Sequence, residues 1–144
     1  MVKPSRGDSS IGFSSRARYS EPAMKSTPDR KAILETEVRR VVKILAADEA
    51  TLGIILFGSL VTGQVTDHSD ADILVVKDTA APFLDRLKNL YHQLRPQVAL
   101  DFLVYTHAEL TDLREHRPFV REEILKRGKI LYEREPGTLA LLCT

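Results

Sequence analysis

The sequence has little cysteine, no long apolar run and little net charge, which are three features that most readily place a chain in a broad class. It contains one cysteine, Cys143, so it can form no intrachain disulfide and cannot build a zinc site from cysteines. No apolar run approaches the roughly 20 residues that a bilayer crossing needs. Lys plus Arg total 21 and Asp plus Glu total 20, so the net charge of +1 gives no general attraction to DNA or to an anionic membrane. We therefore expect a cytoplasmic protein without a membrane segment, for which nucleic acid is not the expected partner.

The sequence does contain enough apolar material for one folded domain, because 43% of its 144 residues are hydrophobic. Residues 1–26 differ from the remainder: they are rich in Ser, Gly, Pro and Arg and show no sustained hydrophobic period. We therefore predict a basic N-terminal arm at 1–26, a folded domain at 27–135 and a C-terminal tail at 136–144.

Along the predicted domain, apolar residues alternate between helical spacing and short continuous runs. Helical spacing predicts helices at 27–49, within 79–95, at 107–115 and at 118–128. Short apolar runs predict buried strands at 52–57, 71–77 and 98–106, and predict either a strand or a docked extended segment at 129–133. Gly128 is expected to cap the last helix. This pattern is typical of an α/β (α+β) fold with a small mixed sheet flanked by helices.

Three aspartates occur where a buried strand would normally carry apolar residues. Asp70 and Asp72 come just ahead of the strand at 71–77, and their spacing of two places both side chains on one face. Two carboxylates held that close repel each other, and a divalent cation such as Mg²⁺ or Mn²⁺ relieves the repulsion. Asp101 lies within the apolar run at 98–106, where an unpaired charge is costly. If the two strands are neighbours, the three acids form one cluster.

A Gly-Ser pair directly follows the first predicted strand. Gly58 allows a sharp turn and the close approach of a ligand to the backbone. Ser59 would begin a short helix, whose free N–H groups suit a phosphate. A phosphate cradle beside a metal-binding carboxylate cluster is what phosphoryl or nucleotidyl transfer requires.

Each of these features, taken alone, is common in proteins without such a site. An Asp-x-Asp pair is more often a solvated strand end, and Gly-Ser after a strand is more often a turn. Asp101 could be a buried acid paired with Arg95 or Lys77. The combination, in order and at strand edges, favours the functional interpretation.

The segment 57–76 resembles the signature of the nucleotidyltransferases, and the ending 117–133 is most similar to their minimal bacterial and archaeal members. The resemblance spans about residues 30–133. The matching residues are Gly58, Ser59, Asp70, Asp72 and Asp101. It implies a polymerase-β-like nucleotidyltransferase fold, ATP as substrate and two Mg²⁺ ions. Asp70 and Asp72 would bind both ions, and Asp101 would complete the catalytic one and help to activate the acceptor.

The resemblance also implies a function. Many minimal members are antitoxins of a helical HEPN-type toxin, and some transfer AMP from ATP to a hydroxyl of that partner protein. Two alternatives stay open: an antitoxin that acts only by binding, and a nucleotidyltransferase for a small molecule such as an aminoglycoside, which would need a homo-oligomer.

One departure from the family pattern concerns the loop after the Gly-Ser pair. Relatives commonly carry arginines there, whereas this chain has Leu60-Val61-Thr62-Gly63. Triphosphate binding would then depend on the Thr62 hydroxyl, on Lys77 or on C-terminal basic residues.

Overall fold

The structure, a computed structural model, describes residues 28–143, so the predicted arm at 1–26 lies outside the described residues. The helices are α1 (Pro28–Ala46), α2 (Ser59–Thr62), α3 (Phe83–Leu94), α4 (His107–His116) and α5 (Thr138–Leu142), with a π-helical segment at Val120–Lys126. The strands are β1 (Thr51–Phe57), β2 (Ala71–Lys77), β3 (Leu100–Tyr105) and β4 (Lys129–Glu133). None of the helices in this part of the chain has the length and apolarity that a bilayer crossing requires.

The four strands form one mixed sheet in the order β3-β2-β1-β4. Strand β1 is antiparallel to both of its neighbours, β2 and β4, while β2 and β3 are parallel. Parallel neighbours need a crossover connection, and α3 supplies it. The predicted fold class, a small mixed sheet flanked by helices, is confirmed.

Both faces of the sheet are buried, which explains the continuous apolar runs of β1 and β2. Helices α1 and α3 cover one face, where Leu34, Val41 and Leu45 of α1 are fully buried at helical spacing. The π-helical segment, α4 and α5 cover the other face, which contains Leu74 and Val76 of β2. We call this second face the α4 face.

The segment after α4 differs from its predicted form. Instead of one α-helix over 118–128, the chain is π-helical over Val120–Lys126, and the amide of Arg127 donates to the carbonyl oxygen of Glu122 over 3.2 Å. The C-cap of this segment is Arg127, one residue before the predicted cap, Gly128, whose amide donates to the carbonyl oxygen of Ile124 over 2.9 Å and whose φ is not positive. A Cβ there would overlap the Ile124 carbonyl and the Ile55 side chain, so glycine allows the chain to pass close to β1.

The chain after residue 135 also contributes to the core. Within the predicted tail, α5 buries Leu139 and Leu142 against the α4 face. Gly53 of β1 makes room for this contact, since a Cβ there would overlap the Leu139 side chain. The boundaries of the domain stay a prediction.

Candidate active site

The register of the two parallel strands places two of the three aspartates side by side. Asp72 of β2 and Asp101 of β3 are direct Cα partners. Asp72 shares the strand face of Leu74 and Val76, and Asp101 shares that of Leu103, so both carboxylates point to the α4 face. The structure therefore brings together residues that are 29 positions apart in the sequence.

Electrostatics show that Asp70 belongs to the same cluster. Burial, and then the charges of Asp101 and Asp70, raise the pKa of Asp72 from 3.8 to about 6. Partial desolvation also raises the pKa of Asp101, as does the nearby carboxyl group of Asp70. The cluster thus carries more negative charge than its surroundings neutralise.

The Gly-Ser turn lies directly against this cluster. Gly58 has φ of 81°, and a Cβ at this position would overlap the carboxylate of Asp72. Ser59 begins α2 as expected, and the helix ends at Gly63, which is left-handed with φ of 85°. Thr62 lies exposed in α2. Only glycine fits at position 58, because other residues rarely adopt this positive φ and because any Cβ would collide with Asp72.

One residue near the cluster was missed by the sequence analysis. Arg30 of α1 donates from Nη2 and Nε to the carbonyl oxygen of Ser69, over 2.6 and 3.2 Å. Its Nη2 also lies 4.0 Å from Oδ1 of Asp70. A turn also holds Ser69 in place through its side chain, since the amide of Thr66 donates to Oγ of Ser69 over 2.8 Å. No local pattern marks Arg30, because its partners are 39 and 40 positions away.

The prediction that Lys77 supplies positive charge to this site is wrong. Lys77 is the last residue of β2, at the end opposite Asp72, and it pairs with Thr51 at the start of β1. Its Nζ lies 3.5 Å from Oδ2 of Asp48. Lys77 therefore neutralises a carboxylate far from the cluster.

The carboxylates suit a divalent cation that takes only some of its ligands from the protein. Among residues 28–143, no three His, Cys, Asp or Glu side chains are arranged around one point as ligands of a single ion. The donors of Asp70, Asp72 and Asp101 are all oxygens, and their mutual repulsion favours a cation. Mg²⁺ commonly binds one or two carboxylates and takes its other ligands from water and substrate phosphates. The geometry suits such an ion better than one enclosed by protein ligands alone.

The comparison with protein families agrees with this arrangement. The model of the family described as "Polymerase beta, Nucleotidyltransferase" matches residues 39–137, which include Gly58, Ser59 and all three aspartates. The chain belongs to this family. Arg30 lies outside the matched region of this nucleotidyltransferase, so the family match alone does not identify it.

One solved structure shows the same fold, and two others are similar to a lesser degree. A candidate nucleotidyltransferase from Sulfolobus solfataricus is 20% identical with a TM-score of 0.55, over 76% of this chain and 88% of that chain. A mutant of the toxin–antitoxin MntA–HpeT is 19% identical with a TM-score of 0.43, over 76% of this chain and 79% of that one. A toxin–antitoxin structure with AMP-PNP is 17% identical with a TM-score of 0.46, over 76% and 80% of the two chains. No curated protein matches the chain.

Proposed function

We propose that this protein is a Mg²⁺-dependent nucleotidyltransferase that moves a nucleotide, AMP from ATP, to a hydroxyl of a partner protein. The observation that carries the proposal is the register of β2 and β3. It pairs Asp72 with Asp101 and leaves the Gly58–Ser59 turn in contact with the same carboxylate.

Each part of the site has a proposed role. Asp70, Asp72 and Asp101 would supply the protein ligands of Mg²⁺, with water and substrate phosphates as the other ligands, and the amides of Ser59 and α2, with the Thr62 hydroxyl, would hold triphosphate oxygens. Mg²⁺, when bound, offsets the charge of the carboxylates and of the triphosphate and lowers the pKa of the acceptor hydroxyl. The acceptor oxygen forms a bond to the α-phosphorus, and the bond to pyrophosphate breaks. The hydroxyl proton passes to the carboxylate of Asp101, the exposed member of the cluster.

The position of Asp101 supports an acceptor that belongs to another molecule. Strand β3 is at the edge of the sheet, and Asp101 is exposed. A hydroxyl can therefore approach from outside the described domain. The likeness of residues 117–133 to the minimal nucleotidyltransferases favours a helical toxin of the HEPN type as the molecule that carries it.

This function predicts which phosphate of ATP is transferred. The protein would be incubated with Mg²⁺, ATP and an extract of the cells from which it comes. Label at the α-phosphorus should appear on a protein, whereas label at the γ-phosphorus should not. Asp101→Asn should reduce the labelling by about a hundredfold or more, since the proton acceptor and a metal ligand are lost. Transfer of the γ label would instead show phosphoryl transfer and contradict the proposal.

A second candidate is an antitoxin that acts only by binding. The specific observation in its favour is α2, which carries no basic residue to hold a triphosphate. This candidate predicts that the partner binds equally well to the wild type and to Asp101→Asn and that no α label is transferred.

We propose that Arg30 positions Asp70 in the enzyme. Its two hydrogen bonds fix the Ser69 carbonyl, and with it the backbone that carries the Asp70 side chain. We expect Arg30→Met to lower kcat by about tenfold, as is typical of residues that orient metal ligands. The KM for ATP should change less than twofold, and Arg30→Lys should restore part of kcat.

The matched control for Arg30 is Arg39→Met, which removes an exposed arginine of the same helix whose Nη2 donates to Thr36. It should leave both constants unchanged. A rise in KM without loss of kcat in Arg30→Met would show that Arg30 binds substrate and does not position Asp70.

A further inference from the structure

An aromatic ring at the edge of the site has no role in the function proposed above. Phe119 is 56% exposed, and it contacts the ring of Phe57 edge to face, with centroids 6.2 Å apart and planes at 81°. Leu84 and Leu141 are also exposed, but they lie on α3 and α5. Isolated exposed apolar residues are common, so exposure alone indicates nothing. The location of Phe119 is what distinguishes it.

Phe57 links this ring to the carboxylate cluster. It is the last residue of β1, the Cα partner of Asp72 and the residue directly before Gly58. Its side chain packs on the α4 face, the face to which Asp72 and Asp101 point. Phe119 therefore contacts the side chain of the residue that directly precedes the turn in which the triphosphate would lie.

The backbone holds Phe119 in place. The π-helical segment starts at the next residue, and Val120, Ile124 and Leu125 of that segment are buried in the core of the α4 face. These anchors leave Phe119 at the surface while its backbone is fixed. Short π-helical segments often occur at functional sites. The ring is thus both exposed and preorganised.

We propose that Phe119 is the platform on which the base of the bound nucleotide stacks. The occupant is a purine or pyrimidine ring, because an aromatic face beside a phosphate site offers stacking without hydrogen-bond selection. Stacking tolerates every base, so the contact adds affinity for nucleotides in general. This inference rests on the proposed function, since it requires the triphosphate to lie at Gly58 and Ser59.

Two ligands separate the contribution of the base from that of the phosphates. Calorimetric titration with Mg²⁺ would compare AMP-PNP, which has a base, with inorganic tripolyphosphate, which has none. We expect Phe119→Ala to weaken AMP-PNP binding by about tenfold. Its affinity for tripolyphosphate should be unchanged. Leu84→Ala, which removes a still more exposed apolar side chain on α3, should change neither affinity.

A second variant reports on the contact directly. The chain has no tryptophan, so Phe119→Trp introduces a single tryptophan, whose emission can be excited selectively over that of the four tyrosines. Its emission should be quenched by AMP-PNP with Mg²⁺ and not by tripolyphosphate. The tryptophan of Leu84→Trp should respond to neither ligand.

The outcomes distinguish this inference from the proposed function. Suppose that the wild type binds both ligands, and that Phe119→Ala weakens the binding of both equally or of neither. Stacking is then refuted and the nucleotide site stands. The same holds if Phe119→Trp shows no quenching by bound AMP-PNP. If the wild type binds neither ligand, the proposed function and the stacking inference are both refuted.

Discussion

Replacing Asp72 with asparagine is expected to make the metal-free protein more stable while it abolishes transfer. The folded-state pKa of Asp72 is about 6, above its ordinary value of 3.8, because burial and two neighbouring carboxylates disfavour the charge. The folded protein therefore binds this proton more tightly than the unfolded chain. The contribution of Asp72 to stability is favourable below about pH 4 and is lost as the pH rises to about 6. At pH 7 the charged form costs at most about 3 kcal/mol.

Asparagine keeps the shape of this side chain and has no charge to bury. Urea unfolding without metal should show Asp72→Asn to be more stable than the wild type at pH 7 by about 1–3 kcal/mol. The difference should shrink toward pH 4, where Asp72 of the wild type is protonated. Asp78→Asn, at an exposed aspartate just after β2, is the matched control and should change stability little. A variant less stable than the wild type at pH 7 would contradict the charge cluster.

The largest loss of stability is expected from Arg86→Met, far from the site. The Arg86 side chain is 8% exposed and forms a two-point pair with Glu109, over 2.7 and 3.0 Å. It also donates to the carbonyl oxygens of Ala81 and Val104, over 2.7 and 3.1 Å. It thereby joins α3, β3 and α4. Breaking a buried pair by removing one partner costs about 3–5 kcal/mol, and we expect about 3 because Glu109 can regain water.

The dependence of this loss on pH tests its cause. Arg86, together with the backbone of Thr106, lowers the pKa of Glu109 from 4.5 to about 2. A lowered pKa adds stability that is present above about pH 4.5 and is lost as the pH falls toward 2. The difference between the wild type and Arg86→Met in urea unfolding should therefore shrink between pH 5 and pH 2. A difference independent of pH would mean that packing dominates and the ion pair does not.

Much of the fold could be predicted because its strands are buried on both faces. A short continuous apolar run between turn residues is typical of such a strand, and β2 has the predicted bounds, residues 71–77. The π-helical segment could not be predicted, since Val120, Ile124 and Leu125 have a spacing that an α-helix would also show. The close approach of Gly128 to β1 could not be predicted, because a glycine at a helix end is already explained by the helix end itself.

The site was only partly predictable for a different reason. The spacing of Asp70 and Asp72 is local, so the sequence shows that they share a face. The inclusion of Asp101 depends on β3 being the neighbour of β2, which is a property of the sheet and not of either strand. Arg30 contacts Ser69 and Phe119 contacts Phe57 across the fold, and neither contact leaves a periodic signal in the sequence.

The central claim is that the carboxylate cluster and the Gly58–Ser59 turn together bind a metal–nucleotide complex. The most direct test is the thermal midpoint of the wild type with Mg²⁺, with each of the four common nucleoside triphosphates, and with both together. A ligand that binds only the folded state raises the midpoint by mass action. We predict a rise with ATP that requires Mg²⁺ and is absent in Asp72→Asn. The claim would be contradicted if no nucleotide raised the midpoint. It would also be contradicted if ATP raised the midpoint without Mg²⁺, or raised it equally in Asp72→Asn.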